Sequence, residues 1–315
     1  MQTVSRVLTH GRTELAKVIV GQEEMINQCL LTILCGGHAL LEGVPGIAKT
    51  LVIKCFAQLF DLDFRRVQCT SDLMPADIIG SNVLNLSTSS FSLHRGPLFT
   101  DLLLADEINR MPPRTQAALL EAMEERQITI DDSTHHLSSF FTVFATQNPI
   151  EFEGTYPLPE AQLDRFLLKI KVTYPQADQE IAILENHHKG FDPQNFQTAQ
   201  LAALPAQDLA DARIEVRNTR VEPALFRYIV EIVRRTRDWP ALSLGASPRA
   251  AVSLMAVAKA VAALEDRDFL LPDDVKTAAL PVLRHRVIIK PEAELEGLDS
   301  DRILGEIVGS VEVPK

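Results

Sequence analysis

The sequence predicts an α/β fold, a parallel sheet packed between helices, followed by a small all-helical unit. Three observations lead there. A short apolar run, His38-Ala39-Leu40-Leu41, precedes the glycine-bearing loop Gly43-Val44-Pro45-Gly46-Ile47-Ala48-Lys49-Thr50 and a helical pattern over residues 51–60; strand, loop, helix is the order of a crossover unit. A second apolar run, residues 102–105, ends in the adjacent acids Asp106 and Glu107. A buried parallel strand ends this way where it reaches the ligand-binding edge of an open sheet. At Tyr174-Pro175 strand signals fade and helical periodicity takes over. The expected division is residues 1–174, an α/β domain with two inserted hairpins, and residues 175–315, a helical domain with a tail.

Along the chain, apolar residues at helical spacing predict helices over most of residues 1–36, broken at Val20-Gly21-Gln22 and ended by Gly36-Gly37. Residues 64–68 read as a second strand. Residues 81–86 and 91–94, separated by Ser87-Thr88-Ser89-Ser90, read as a hairpin; residues 127–130 and 134–137, joined by Asp131-Asp132-Ser133, read as another. Pro112-Pro113 starts a helix that runs through Glu125. Residues 140–146 form an apolar strand ending in Gln147-Asn148-Pro149, and residues 167–172 form the last strand of the sheet. Helices are expected over 201–211, 223–237, 248–264 and 272–283. The tail from Pro291 is acidic and weakly patterned, with a short helix over 303–308.

Composition narrows the function. Hydrophobic residues make up 46% and charged residues 23% of 315 residues, as in globular proteins. With Lys plus Arg at 31 and Asp plus Glu at 42, the net charge of −11 argues against non-specific binding to nucleic acid or an anionic membrane surface. No apolar run reaches the length of a membrane span, and the N-terminal residues lack a signal-peptide core. Cys29, Cys35, Cys55 and Cys69 fit no zinc or CxxC redox spacing. They are expected to be buried free thiols in a reducing, cytoplasmic compartment.

The loop at residues 43–50 meets the phosphate-loop pattern G-x-x-x-x-G-K-[ST] except at its second glycine, which is Ala48. Alanine is tolerable there if its φ stays negative. A helix opening at Lys49 offers free N–H groups and a positive dipole end to a phosphate. Lys49 is expected to reach β- and γ-phosphates, and Thr50 to place its hydroxyl on Mg²⁺. Leu51 completes the nucleotide-binding stretch. One of the acids Asp106 and Glu107 would hold Mg²⁺, and the other would orient or deprotonate water. Asn148, ending a neighbouring strand, can hold that water or the γ-phosphate.

The set of motifs resembles AAA+ ATPases, and closely the MoxR group, over about residues 20–285. The resemblance rests on Val20-Gly21-Gln22, the loop at 43–50, Leu103-Leu104-Ala105-Asp106-Glu107-Ile108-Asn109-Arg110, Ala145-Thr146-Gln147-Asn148-Pro149, Leu163-Asp164-Arg165-Phe166 and Ser247-Pro248-Arg249. It implies a P-loop NTPase core with a small all-α lid. It further implies that Val20, Gly21 and Gln22 line an adenine pocket and that Lys49 and Thr50 belong to Walker A. Asp106 and Glu107 would be Walker B, with Asp106 and Thr50 on the metal. Asn148 would be sensor 1, Arg165 the arginine finger and Arg249 sensor 2, reaching the γ-phosphate from the lid. The two hairpins look like the helix-2 insert and the pre-sensor-1 hairpin. Such proteins use ATP and Mg²⁺ and assemble as hexameric rings. They remodel partner complexes, often with a von Willebrand factor A domain adaptor, in cofactor or metal insertion and assembly. A nucleotide-dependent switch without turnover is the alternative. A DNA-acting motor is disfavoured by the charge and by the absence of a Gly-Ala-Phe-Thr-Gly-Ala signature.

Overall fold

The computed structural model of the chain describes residues 2–85, 89–149, 154–193 and 201–314. Helices α1 (Gln2–Leu15) and α2 (Glu23–Cys35) lead into strand β1 (Ala39–Glu42), and α3 (Lys49–Leu59) follows the glycine-bearing loop. Strand β2 (Phe64–Gln68), the short helix α4 (Pro75–Ile79), and the hairpin of β3 (Gly80–Asn85) and β4 (Ser90–Arg95) come next. Residues 86–88 of that expected hairpin lie outside the described residues. Strand β5 (Leu102–Asp106) then leads through a single 3₁₀ turn to α5 (Pro113–Glu125) and the second hairpin, β6 (Gln127–Ile130) with β7 (Ser133–His136). Strand β8 (Thr142–Gln147), the one-turn helix α6 (Glu160–Leu163) and β9 (Leu168–Lys171) complete the α/β part.

Five strands form one sheet in the order β2-β5-β8-β1-β9, and every pair is parallel. Consecutive strands that are not neighbours need crossovers, which the helices supply. The period of two divides the strands between two apolar layers. Leu102 and Leu104 of β5 pack with α1, α2 and α3 on one face. Leu103 and Ala105 pack with Leu119, Leu120 and Met123 of α5 on the other. The placement of Asp106 and Asn148 at the ends of adjacent strands agrees with the sequence reading.

After the sheet come α7 (Ala177–His188), α8 (Ala206–Arg217), α9 (Pro223–Arg235), β10 (Leu242–Leu244), α10 (Pro248–Leu264), α11 (Pro272–Leu283), β11 (Ile288–Ile289), α12 (Pro291–Leu295) and α13 (Ser300–Ser310). The helix expected over 201–211 begins instead after Pro205, because a proline disfavours the α conformation of the residue before it. Leu201 is buried all the same, and residues 202–204 are strung along the core: the Ala202 N–H donates to Glu14 (2.9 Å) and the Leu204 N–H to the Leu59 carbonyl (2.7 Å). The sequence reading did not anticipate α4, α7, α12 or the two-stranded β10–β11 ribbon.

The C-terminal helices pack closely on the first helices of the chain. One apolar cluster runs without a break from Val4, Leu30 and Phe56 of the first three helices to Leu209, Leu254, Val282 and Ile303. Glu215 of α8 accepts from the Thr3 and Val4 N–H groups (3.3 and 2.9 Å) at the start of α1, a favourable place for a carboxylate. Arg213 of α8 donates to the Ile33 and Ser139 carbonyls. The tail is docked too: Arg284 and Lys171 pair with Asp301 (3.0 and 2.8 Å), with Ile303, Leu304 and Ile307 buried beneath. All four cysteines are free, and Cys29, Cys55 and Cys69 are buried; burial pushes the Cys55 and Cys69 thiols up to about 12. Among the described residues no helix is long and apolar enough to cross a membrane.

Candidate active site

The loop between β1 and α3 closes tightly on the sheet. A side chain at Gly43 would put its Cβ 2.6 Å from the Val172 carbonyl oxygen and 2.9 Å from Ile47 Cδ1, so only glycine fits. Ala48 overturns the expectation of a negative φ. It stands left-handed, φ 63° and ψ 12°, at the N-cap of α3, the conformation that the glycine of the general pattern would adopt freely. Alanine there costs about 1 kcal/mol. The turn leaves the first N–H groups of α3 at the edge of a cleft of about 840 Å³.

Of the residues assigned to nucleotide from the sequence, Val20, Gln22, Pro45, Gly46, Ile47, Ala48, Lys49, Thr50, Leu51 and Asp106 line this cleft, with Glu107 and Asn148 beside them. Gly21, Gly43 and Val44 shape the backbone without lining it. Gly21 (φ 69°) and Gln22 (φ 63°) are both left-handed, and Gln22 Nε2 donates to the Thr173 carbonyl at 2.9 Å. The sequence reading missed an apolar group, Val18, Ile19, Pro175, Ile183 and Phe191, and a polar one, Arg66, Gln68, Thr146, Asn186 and His187. Arg66 and Gln68 could have been found: strand alternation places both on the same sheet face as Asp106, which pairs with Gln68 across the β2–β5 ladder. The residues of α7 carried no comparable signal.

The charged groups of the cleft are paired with one another and with the backbone. Lys49 is largely buried, and its Nζ donates to the Gly43 carbonyl at 2.5 Å. Burial pushes its ammonium below the usual lysine value, while Asp106 and Glu107 hold it up. Asp106 Oδ1 accepts the Thr146 hydroxyl at 2.6 Å, and Oδ2 accepts from Arg66 Nη2 at 2.6 Å and Nε at 3.1 Å. Glu107 is left-handed, φ 61°, and its N–H donates to Thr146 Oγ1 at 2.8 Å. Its Oε2 accepts from Gln68 Nε2 at 3.0 Å and lies 3.4 Å from Arg110 Nε. The donor set suits a hard cation that keeps most of its shell from phosphate and water: one carboxylate, Asp106, and one hydroxyl, Thr50, both line the cleft.

Arg165 and Arg249 are not in the cleft. Arg165 Nη2 lies 3.1 Å from Glu124 Oε2, and Arg249 Nη1 lies 3.0 Å from Glu124 Oε1, so both cations share one carboxylate of α5. In this structure Arg249, expected to reach the γ-phosphate from the lid, does not border the cleft. The helix it opens is packed against α2 and α11, and no residue of α8–α13 lines the cleft. The turn carrying Arg165 is fixed from the C-terminal helices. Arg286 donates through Nε to Asp164 Oδ1 at 2.6 Å and through Nη2 to the Phe166 carbonyl at 2.6 Å, and the His285 ring nitrogen Nε2 lies 2.9 Å from the same oxygen. Burial, and next the neighbouring Arg286, push the His285 imidazole well below its ordinary value.

Comparison with known proteins agrees with this geometry. Residues 38–168 match the family model "ATPase family associated with various cellular activities (AAA)", and residues 234–307 match the "AAA lid domain". The chain is 40% identical to "Chaperone MoxR1" of Mycobacterium tuberculosis over 311 residues, covering 96% of this chain and 81% of that one. It is 43% identical over 298 residues to "Uncharacterized protein YeaC" of Bacillus subtilis, covering 95% and 92%. It is 32% identical to "Protein MoxR" of Paracoccus denitrificans, covering 88% and 87%. The crystal structure of a protein from Cytophaga hutchinsonii, described as a candidate ATPase, superposes with a TM-score of 0.91 at 42% identity, covering 99% and 96%.

Proposed function

Because the chain belongs to the MoxR family of AAA+ ATPases, we propose that it binds and hydrolyses ATP with Mg²⁺ in the cleft at the β1–α3 loop and uses the energy to remodel a partner protein complex. The observation that carries this reading is the buried Lys49 beside two acids, at the N-terminus of a helix. A buried ammonium satisfied by a backbone carbonyl gains most from a phosphate. Lys49 and the first N–H groups of α3 bind the β- and γ-phosphates. The apolar residues Val18, Ile19, Val20 and Ile183 take the adenine base. Mg²⁺, held by Thr50 and Asp106, supplies neutralisation of phosphate charge. Glu107 leaves Gln68 to accept the proton of the attacking water, which Asn148 orients.

Arg165 and Arg249 serve a neighbouring subunit. They stand together on Glu124, outside their own cleft, so in a ring they meet the γ-phosphate of the next chain, Glu124 acting as their placeholder. A hexameric ring is the assembly this implies. The client surface is the β3–β4 hairpin, where Val83, Leu84 and Phe91 are exposed, braced against the second hairpin by Asn82 Nδ2 donating to Asp131 Oδ2 (2.6 Å). A von Willebrand factor A domain adaptor, and a role in cofactor or metal insertion, belong to the same proposal, as does a cytoplasmic location. A second reading, a nucleotide switch without turnover, draws on Glu107 being held by Gln68 and Arg110.

The test is a pair of variants followed by calorimetric ATP binding and by phosphate release. Lys49→Ala should lose binding; Glu107→Gln should keep it and stop turnover. Equal ATP affinity in wild type and Lys49→Ala would sink the cleft assignment, and a wild type that binds without turnover would favour the switch.

A further inference from the structure

Asp106 already has a cation on it. Arg66 lies on the edge strand β2, and its Nε and Nη2 reach Asp106 Oδ2 at 3.1 and 2.6 Å. The other oxygen, Oδ1, accepts the Thr146 hydroxyl. The same Arg66 Nη2 donates to Gln68 Oε1 at 2.6 Å, and Gln68 Nε2 donates to Glu107 Oε2 at 3.0 Å. One guanidinium is thus tied to Asp106 directly and to Glu107 through a single amide.

We propose that Arg66 is an internal counter-ion that competes with Mg²⁺ for Asp106, so that metal–nucleotide binds by displacing it. The inference rests on the reading of this cleft as a Mg²⁺–ATP site. A guanidinium at 2.6 Å and a divalent cation cannot share one carboxylate oxygen without strong like-charge repulsion. Arg66 has somewhere to go: its side chain is 46% exposed and it borders the open cleft. Stitching β2 to β5 does not need it, since the ladder already pairs all five residues from Phe64 to Gln68 with Leu102 to Asp106. Its departure also removes the bond that orients the Gln68 amide, and so loosens the grip on Glu107. Metal arrival would in this way be felt at the base before any chemistry.

The experiment is a Mg²⁺ titration of fluorescent N-methylanthraniloyl-ADP binding to the full chain, in wild type, Arg66→Gln and Arg66→Lys. A half-exposed pair of this kind is weak, so the half-saturating Mg²⁺ concentration should fall by about twofold to fivefold in Arg66→Gln. Arg66→Lys, which keeps the charge without the fork, should fall between the two. An unchanged or higher Mg²⁺ requirement in Arg66→Gln would overturn the proposal and make Arg66 a structural or nucleotide-binding group. A wild type that binds no nucleotide at any Mg²⁺ concentration would instead bring down the ATP-site reading, and this inference with it.

Discussion

Two Arg–Asp pairs in this molecule have the same closest approach, 2.6 Å, and opposite surroundings. Arg66 on Asp106 is 46% exposed at the rim of the cleft, whereas the Arg286 side chain on Asp164 is 2% exposed behind the turn that carries Arg165. Arg286 also donates to the carbonyls of Asp164, Phe166, Leu167 and Val282. Distance alone does not say what an ion pair does. The exposed pair can be exchanged for another cation at little cost, which suits a place where ligand must arrive. The buried one is over-determined by its hydrogen bonds, which suits a place where a turn must not move. The cleft side of the sheet is built for exchange and the Arg165 side for position.

The sharpest way to break that contrast is to remove each arginine and measure urea unfolding. Arg286→Met should cost about 3–5 kcal/mol, because Asp164 and several carbonyls are left buried without their partner. Arg66→Gln should cost about 1 kcal/mol or less. Equal losses would show that the two pairs are of one kind. A smaller effect comes from pH. His285, which follows α11 and packs against the Arg165 turn, and His38, held neutral by burial with its imidazole pushed down to about 3, both resist protonation when folded but not when unfolded. Their folded values lie below the ordinary 6.5, so the unfolded chain takes up the protons first. The stability they contribute is complete above about pH 6.5 and is lost as pH falls below it, for His38 down toward 3 at about 1.4 kcal/mol per unit. Urea midpoints compared at pH 7.5 and 5.5 should fall on the acid side, less steeply in His38→Gln. Identical slopes in that variant and wild type would remove His38 from the account.

Much of the cleft was legible in the sequence because its parts are local. The loop at 43–50 and the acids ending a strand announce their chemistry within a few residues. The parallel sheet between helices followed from alternating apolar runs and helical patterns. Ala48 was misread because its allowed φ was judged from its side chain, whereas the turn into α3 imposes the left-handed geometry. Arg66 and Gln68 were visible as residues of a strand but their face was not used. The helix that Arg249 opens was legible over 248–264, but its partner was not: Glu124 lies 125 residues away, and the packing of α10 against α2 and α11 carries the helix there. That packing is set by a shared apolar core, which no local motif records.

The central claim is that the cleft and the Arg165 turn belong to one reaction but to two subunits. Arg165→Ala and Glu107→Gln should each be nearly inactive, since an arginine supplied in trans contributes roughly 10³–10⁵ in rate and Glu107 is the proposed base. Co-refolding the two variants creates interfaces in which an intact Glu107 cleft faces an intact Arg165 of the next chain. ATPase rate, measured on hybrid assemblies whose composition is established by native mass spectrometry, should recover to a sizeable fraction of wild type. Hybrids that form and remain inactive would contradict the account, placing Arg165 in the service of its own chain or of the fold.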